Sequence, residues 1–255
     1  MPAPLTLRCR PVGRGLWLAW PPDAGAAGGV PPERAEGLLH GEPLTASALG
    51  RGPVHEVRLC GLAALPAAGR RRALARVRAL APAAVLRVEW PAAGRAPGVA
   101  EARCWQALAP LYVHMLCDRP ADLPAVARIA PPLAGVGLPL AAEVLLQRGV
   151  NDRVALLREL LPGLLRLGVR PTALVDGAWL PRPRRVGPAA GLALVRGLRG
   201  WISGLAAPPL VVEARSGRRR QRVPPYLTRL TVAGAEGRTY RGEPFHYPDP
   251  PGTGD

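Results

Sequence analysis

Short apolar runs recur along the chain, separated by segments whose apolar residues return every three to four positions. That alternation predicts a parallel sheet wrapped by helices. The runs predict strands at Gly15 to Trp20, Val54 to Cys60, Val85 to Trp90, Leu111 to Leu116, Leu140 to Leu146, Arg170 to Val175 and Leu210 to Glu213. The clearest helix follows "RGVND", where Leu156, Leu157, Leu160, Leu161, Leu164 and Leu165 share one face, while Arg153, Arg158, Glu159 and Arg166 face away. Asn151 or Asp152 is expected to cap its start. Pro162 and Gly163 fall inside the pattern, so a kink or an early end is expected there. A second helix, Arg70 to Leu80, places Leu74, Val77 and Leu80 together. Beyond Pro225, "LTRLTVAG" and "GRTYRGEP" predict a small antiparallel hairpin, and "YPDPPGTGD" a disordered tail.

With 255 residues, 48% of them apolar, the chain can bury one full core, and a barrel of this length is commonly one domain. The expected organisation is an N-terminal segment over 1–14, a partial barrel over 15–213, a loop and hairpin over 214–246 and the tail over 247–255. A formal charge of +16 invites an anionic partner such as a nucleic acid. Yet all 34 basic residues are arginine, a pattern of compositional drift that makes a solvated arginine-rich surface the default reading. Without lysine, no side-chain amine can form a Schiff base. Cys9, Cys60, Cys104 and Cys117 lie far apart and follow no secretory signal, which favours free thiols in the cytoplasm. The run "LWLAW" is too short for a signal core, and no stretch of about 18 apolar residues escapes Arg or Pro, so no membrane association is expected.

Read together, "LLQRGVND", "GVRP", "GLRGWISG", "PPLVVEA" and "PPYLTRL", with "EGRTYRGEP", resemble the lysine 2,3-aminomutase family of radical S-adenosylmethionine (SAM) enzymes. Order and spacing agree from about Leu140 to Pro244, with weaker agreement back to about Leu16. The resemblance implies an α/β fold, a partial parallel barrel of six strand-helix units with its chemistry at the C-terminal strand ends. It also implies three cofactors: a [4Fe-4S] cluster on a C-x3-C-x2-C loop, SAM, and pyridoxal phosphate (PLP) on a lysine.

This chain departs from that pattern at each cofactor. The loop after the first strand reads "PPDAGAAGGVPPE", with no cysteine to supply the soft thiolates a cluster iron needs. The family GGD that meets the amino group of SAM becomes "CGLAAL", in which Gly61 survives and Ala63 replaces the acid. Glu143 stands where the family has a SAM-contacting Gln, and "LCDRP" replaces HFNHP. In "VVEARSGRRRQRVPPY", Arg220 falls on the PLP lysine, and a guanidinium that stays protonated cannot form the aldimine.

Two acids around a substrate ammonium are what the resemblance implies for binding. Glu213 falls on one; Asp176 falls on the other if two residues are deleted downstream, and Ala178 occupies it otherwise. A cation pocket would need the Glu213 and Asp176 carboxylates within about 5 to 7 Å at the strand ends, and an arginine from Arg218, Arg219 and Arg220 is expected to fill it. Asp152 is expected as a helix cap rather than a ligand. Cys60, Cys117 and His114 fall near predicted strand ends on one barrel face, but their spacing is not that of a metal site and none is expected.

These departures lead to the expectation of a radical-SAM-like, isomerase-like pseudoenzyme that has lost cluster, SAM and PLP and binds a ligand or partner. The partner could be a complete aminomutase, and a ligand could be a cationic amino acid. The alternatives are an active aminomutase with non-standard or partner-supplied cofactor ligands, and an arginine-rich RNA- or ribosome-associated module. For the last, "RSGRRRQR" has few stacking aromatics nearby apart from Tyr226, so nucleic acid is not expected.

Overall fold

The fold is taken from a computed structural model that describes residues 8–12, 15–19, 55–177, 180–213, 220–223, 227–231, 234–238 and 243–248. One nine-stranded sheet runs in sequential order through β1 (Arg8–Val12), β2 (Gly15–Ala19), β3 (Glu56–Cys60), β4 (Val85–Pro91), β5 (Leu111–Leu116), β6 (Leu140–Leu145), β7 (Val169–Gly177), β8 (Leu210–Glu213) and β9 (Arg220–Val223). The seven strands from β2 to β8 are parallel and curl into a half-barrel, while β1 and β9 add antiparallel edges. The crossovers carry α1 (Ala67–Leu80), α2 (Val99–Gln106), α3 (Leu123–Ala134), α4 (Val154–Arg166) and α5 (Pro188–Leu198). A separate antiparallel sheet is formed by β10 (Leu227–Thr231), β11 (Gly234–Arg238) and β12 (Pro244–Pro248).

The parallel strands therefore fall where the apolar runs predict them. The expected hairpin gains a third strand, β12, which reaches into the stretch expected to be disordered. β9 lies in the expected arginine loop yet extends the main sheet through backbone pairing with β8.

Strand alternation separates the core from the concave face. In β4, Leu86, Val88 and Trp90 are fully buried against the helices, whereas Arg87 and Glu89 face the other way. The helix side closes over α3 through Val126, Ile129, Ala130 and Leu133, and over α4 through Leu157, Leu160, Leu161 and Leu164. Of the kink or early end expected at Pro162, the early end does not occur: α4 runs on to Arg166. Its buried leucines stand on both sides of the proline, so packing outweighs the missing backbone donor. Gly163 lets the helix approach α3 closely, because a Cβ there would stand 2.5 Å from Leu123 Cδ1.

Two arginines fix the outer layer. Arg70 grips Glu101 in a buried fork, Nε to Oε1 at 2.6 Å and Nη2 to Oε2 at 2.7 Å, joining α1 to α2. Its guanidinium lies 5.4 Å from the Trp90 ring centre, and Trp90 in turn packs 5.3 Å from Trp105. Arg78, near the end of α1, donates to five carbonyls, those of Ala81, Pro82, Ala84, Leu108 and Pro110. It binds the turn before β4 to the turn before β5.

Candidate functional site

The concave face of the sheet, lined by every second residue of its parallel strands, leads to the C-terminal strand ends where barrels hold their sites. Charges on β3, β4 and β6 meet on that face. Arg87 Nη1 donates to Glu143 Oε1 at 2.8 Å across the intervening β5, and Arg87 Nη2 lies 3.7 Å from Glu89 Oε1. Glu89 also faces Arg58 at 3.4 Å and accepts from the Cys60 thiol at 2.9 Å. Two arginines and two glutamates thus form a neutral, largely buried chain. Further along the face, Ala173, Val175 and Val211 make a small apolar cluster with Leu145.

The resemblance-derived positions divide around this chain. Glu143 is a member of it, held by Arg87. Gly61 follows β3 with φ +76°, the left-handed conformation that favours glycine, and starts a single turn over Leu62–Ala64. Ala63 in that turn packs partly buried against the core.

Asp176 is fully buried on the other side of the sheet. It shares its face with Leu174, which packs under the helices, while its neighbours Ala173 and Val175 face the concavity. Its Oδ1 accepts the Gly187 N–H at the start of α5 at 3.3 Å, and Arg185 Nη2 stands 3.9 Å from Oδ2. In register Asp176 lies beside Val212, whereas Glu213 lies beside Gly177 and opposite Arg220 of β9. Asp176 and Glu213 are therefore one residue out of step. The arginine that reaches Asp176 is Arg185; Arg218, Arg219 and Ala178 lie outside the described residues, as do the side chains of Glu213 and Arg220 and the loop Pro21–Glu33.

The "GVND" turn holds the C-terminal end of the sheet together, and not by capping α4 as expected. Arg153 occupies the N-cap position without a side-chain cap. Asp152 Oδ2 instead accepts the Gly149 N–H at 3.0 Å, closing the turn on itself. Asn151, fully buried, accepts the Gln147 N–H at 2.8 Å and donates to the carbonyls of Asp118 and Leu145 at 3.0 and 2.9 Å. The Asp118 carboxylate receives the Leu145 N–H at 2.8 Å. Residue type alone does not mark Asp118; its place in "LCDRP", just past the end of β5, is the signal that finds it.

Burial pushes the Asp118 carboxyl up to about 6, and nearby Asp122 adds to the rise. Burial also pushes the Cys117 thiol up to about 12, with Asp122 and Asp118 acting in the same direction. Among the described residues, no three His, Cys, Asp or Glu side chains gather closely enough to hold a metal ion. Among the same residues, no helix is long and apolar enough to cross a membrane.

Comparison with known proteins places this architecture. L-lysine 2,3-aminomutase of Fusobacterium nucleatum is 31% identical over 111 residues, 42% of this chain and 26% of that protein. L-lysine 2,3-aminomutase of Clostridium subterminale is 37% identical over 87 residues, 33% of this chain and 21% of that protein. Glutamate 2,3-aminomutase of Clostridioides difficile is 26% identical over 146 residues, 56% of this chain and 35% of that protein. The matched stretches thus span about a fifth to a third of the relatives' length. No protein-family model matches the chain. Sequence motifs, a curled half-barrel of parallel strands and these partial matches agree: the chain is a distant relative of the 2,3-aminomutases.

Proposed function

We propose that this chain is a non-catalytic aminomutase-like protein whose barrel binds a ligand or a partner without radical chemistry. The observation that carries the reading is the Arg58, Glu89, Arg87 and Glu143 chain across the concave face. Glu143, at the position matched to a SAM-contacting Gln, has its oxygen held at 2.8 Å by the protein's own arginine.

The residues present do not fit the family's cofactors. Ala63 turns a methyl group toward the core where SAM would need an acid for its ammonium. The Cys60 thiol donates to Glu89 and Cys117 is buried just past β5, so the two stand on different strands and not on one C-x3-C-x2-C loop that would gather thiolates for iron. The loop Pro21–Glu33 contains no cysteine, and the chain contains no lysine to carry PLP. No reaction step is therefore routed through these groups.

Anaerobic reconstitution with iron and sulfide, followed by metal analysis and SAM calorimetry, tests the reading. The expected result is neither stoichiometric iron nor SAM binding. A stoichiometric [4Fe-4S] cluster, or deoxyadenosine formed from SAM under dithionite, would overturn it in favour of an active isomerase.

A further inference from the structure

The concave face carries paired charges on one side and aliphatic side chains on the other. On β5, Leu111, Val113 and Met115 are buried under the helices, so Tyr112, His114 and Leu116 face the concavity. His114 lies beside Glu89 and Ala141 in register and is buried, whereas Leu116 stays 44% exposed. Leu145, Val175 and Val211 stand abreast on β6, β7 and β8, with Ala173 beside Glu143 two residues earlier. Val175 and Val211 are closed to water and Leu145 is half-buried, which leaves Leu116 as the open part of this aliphatic surface. The four charged side chains described in the middle of the face are already paired with one another: Arg58 with Glu89, and Arg87 with Glu89 and Glu143. Asp118, just past the end of β5, accepts the Leu145 N–H. Arg170 lies beside Ala141 at the opposite, N-terminal end and is exposed to water.

We propose that the concave face binds an uncharged small molecule with an aliphatic body, seated on Leu116 and Leu145 beside the row that Val175 and Val211 complete. An ionic ligand placed there would have to leave water without a partner of its own, or draw one charge out of the ion chain and strand the other in a largely dry setting. An uncharged ligand meets neither cost, and it gains by covering apolar surface that Leu116 now shows to water. The inference rests on the reading that the barrel binds a ligand without radical chemistry. It puts a neutral ligand in place of the cationic amino acid expected from the sequence, because the carboxylate of Glu143 is already held by Arg87.

Isothermal titration calorimetry of the full chain with hexan-1-ol, heptan-1-ol and octan-1-ol tests this. Affinity is expected to rise about fourfold per added methylene, as burial of the aliphatic body requires. Octanoate and octylamine are each expected to bind at least about tenfold more weakly than octan-1-ol. Leu116→Asn changes a side chain outside the buried core and should weaken octan-1-ol binding by at least about fivefold. Val99→Asn makes a similar change on α2 in the outer layer, at a residue 51% exposed, and is expected to alter the affinity by less than about twofold. The inference is overturned if no alcohol binds, if affinity does not grow with chain length, if octylamine or octanoate binds as tightly as octan-1-ol, or if L116N binds no more weakly than V99N. Iron and SAM binding are measured separately, so a chain that takes up neither cofactor and no alcohol overturns this inference alone.

Discussion

Removing Glu143 isolates the energetic role of the concave ion chain. At 2.8 Å and an effective dielectric of 20, Arg87 and Glu143 attract by about 6 kcal/mol. Desolvating two ions costs several kcal/mol each, so the intact pair is close to neutral relative to an apolar pair of the same size. Breaking it is another matter. In Glu143→Leu, Arg87, 8% exposed at its side chain, keeps only Glu89 at 3.7 Å, which already faces Arg58. The four-charge chain then carries a net positive charge in a largely dry setting, and a loss of about 2–4 kcal/mol is expected, somewhat below the range for fully buried pairs because Glu143 is 16% exposed. Arg87→Met combined with Glu143→Leu removes both charges and should restore stability to within about 1 kcal/mol of wild type. Urea unfolding of the two singles and the double gives the coupling energy. If Glu143→Leu costs less than about 1 kcal/mol and the double mutant brings no recovery, water reaches the pair freely, as it would at an open ligand site. That result would refute the account of a self-filled concave face.

Asp118 gives a pH test: its folded carboxyl titrates near 6 against an ordinary value of 3.8, so the folded state holds its proton longer. Stability should fall as pH rises from about 4 to about 6, by no more than about 3 kcal/mol from this group, and Asp118→Asn should remove that slope; a mutant with the wild-type slope refutes the assignment. Gly163→Ala places a methyl group 2.5 Å from Leu123 Cδ1 and should destabilise by about 1–3 kcal/mol despite alanine's better helix propensity. Thermal unfolding at or above the wild-type midpoint would contradict that close approach. In native protein at pH 8, iodoacetamide should modify exposed Cys104 and spare buried Cys117, as read by peptide mass spectrometry; equal labelling would contradict the raised thiol pKa.

The parallel strands were legible because they follow short apolar runs in the sequence; in β4, for example, Leu86, Val88 and Trp90 are buried against the helices. The antiparallel edges β1 and β9 were not. Arg8–Val12 and Arg220–Val223 are rich in arginine and join the sheet through backbone hydrogen bonds that leave little mark in side-chain pattern. The ion chain left a partial signal, since Arg87 and Glu89 interrupt an otherwise apolar strand with period two. Their partner Glu143 is 56 residues away from Arg87, and only the register of three strands brings them together. Register also separates Asp176 from Glu213. Glu213 ends a predicted strand and Asp176 follows directly on one, and a one-residue offset between those strands sends Asp176 under the helices. The early end allowed for at the proline in α4 does not occur, because local propensity gave way to the packing of leucines on both sides.

The Arg78 clamp makes one arginine among 34 a fixed requirement of the fold. Six donor contacts to five carbonyls exceed the three donors of a lysine ammonium, which also lacks the planar fork that spans two turns. Many exposed arginines here could be replaced by lysine with little effect on folding. Arg78 could not, because both turns now rest on a shape that only a guanidinium has.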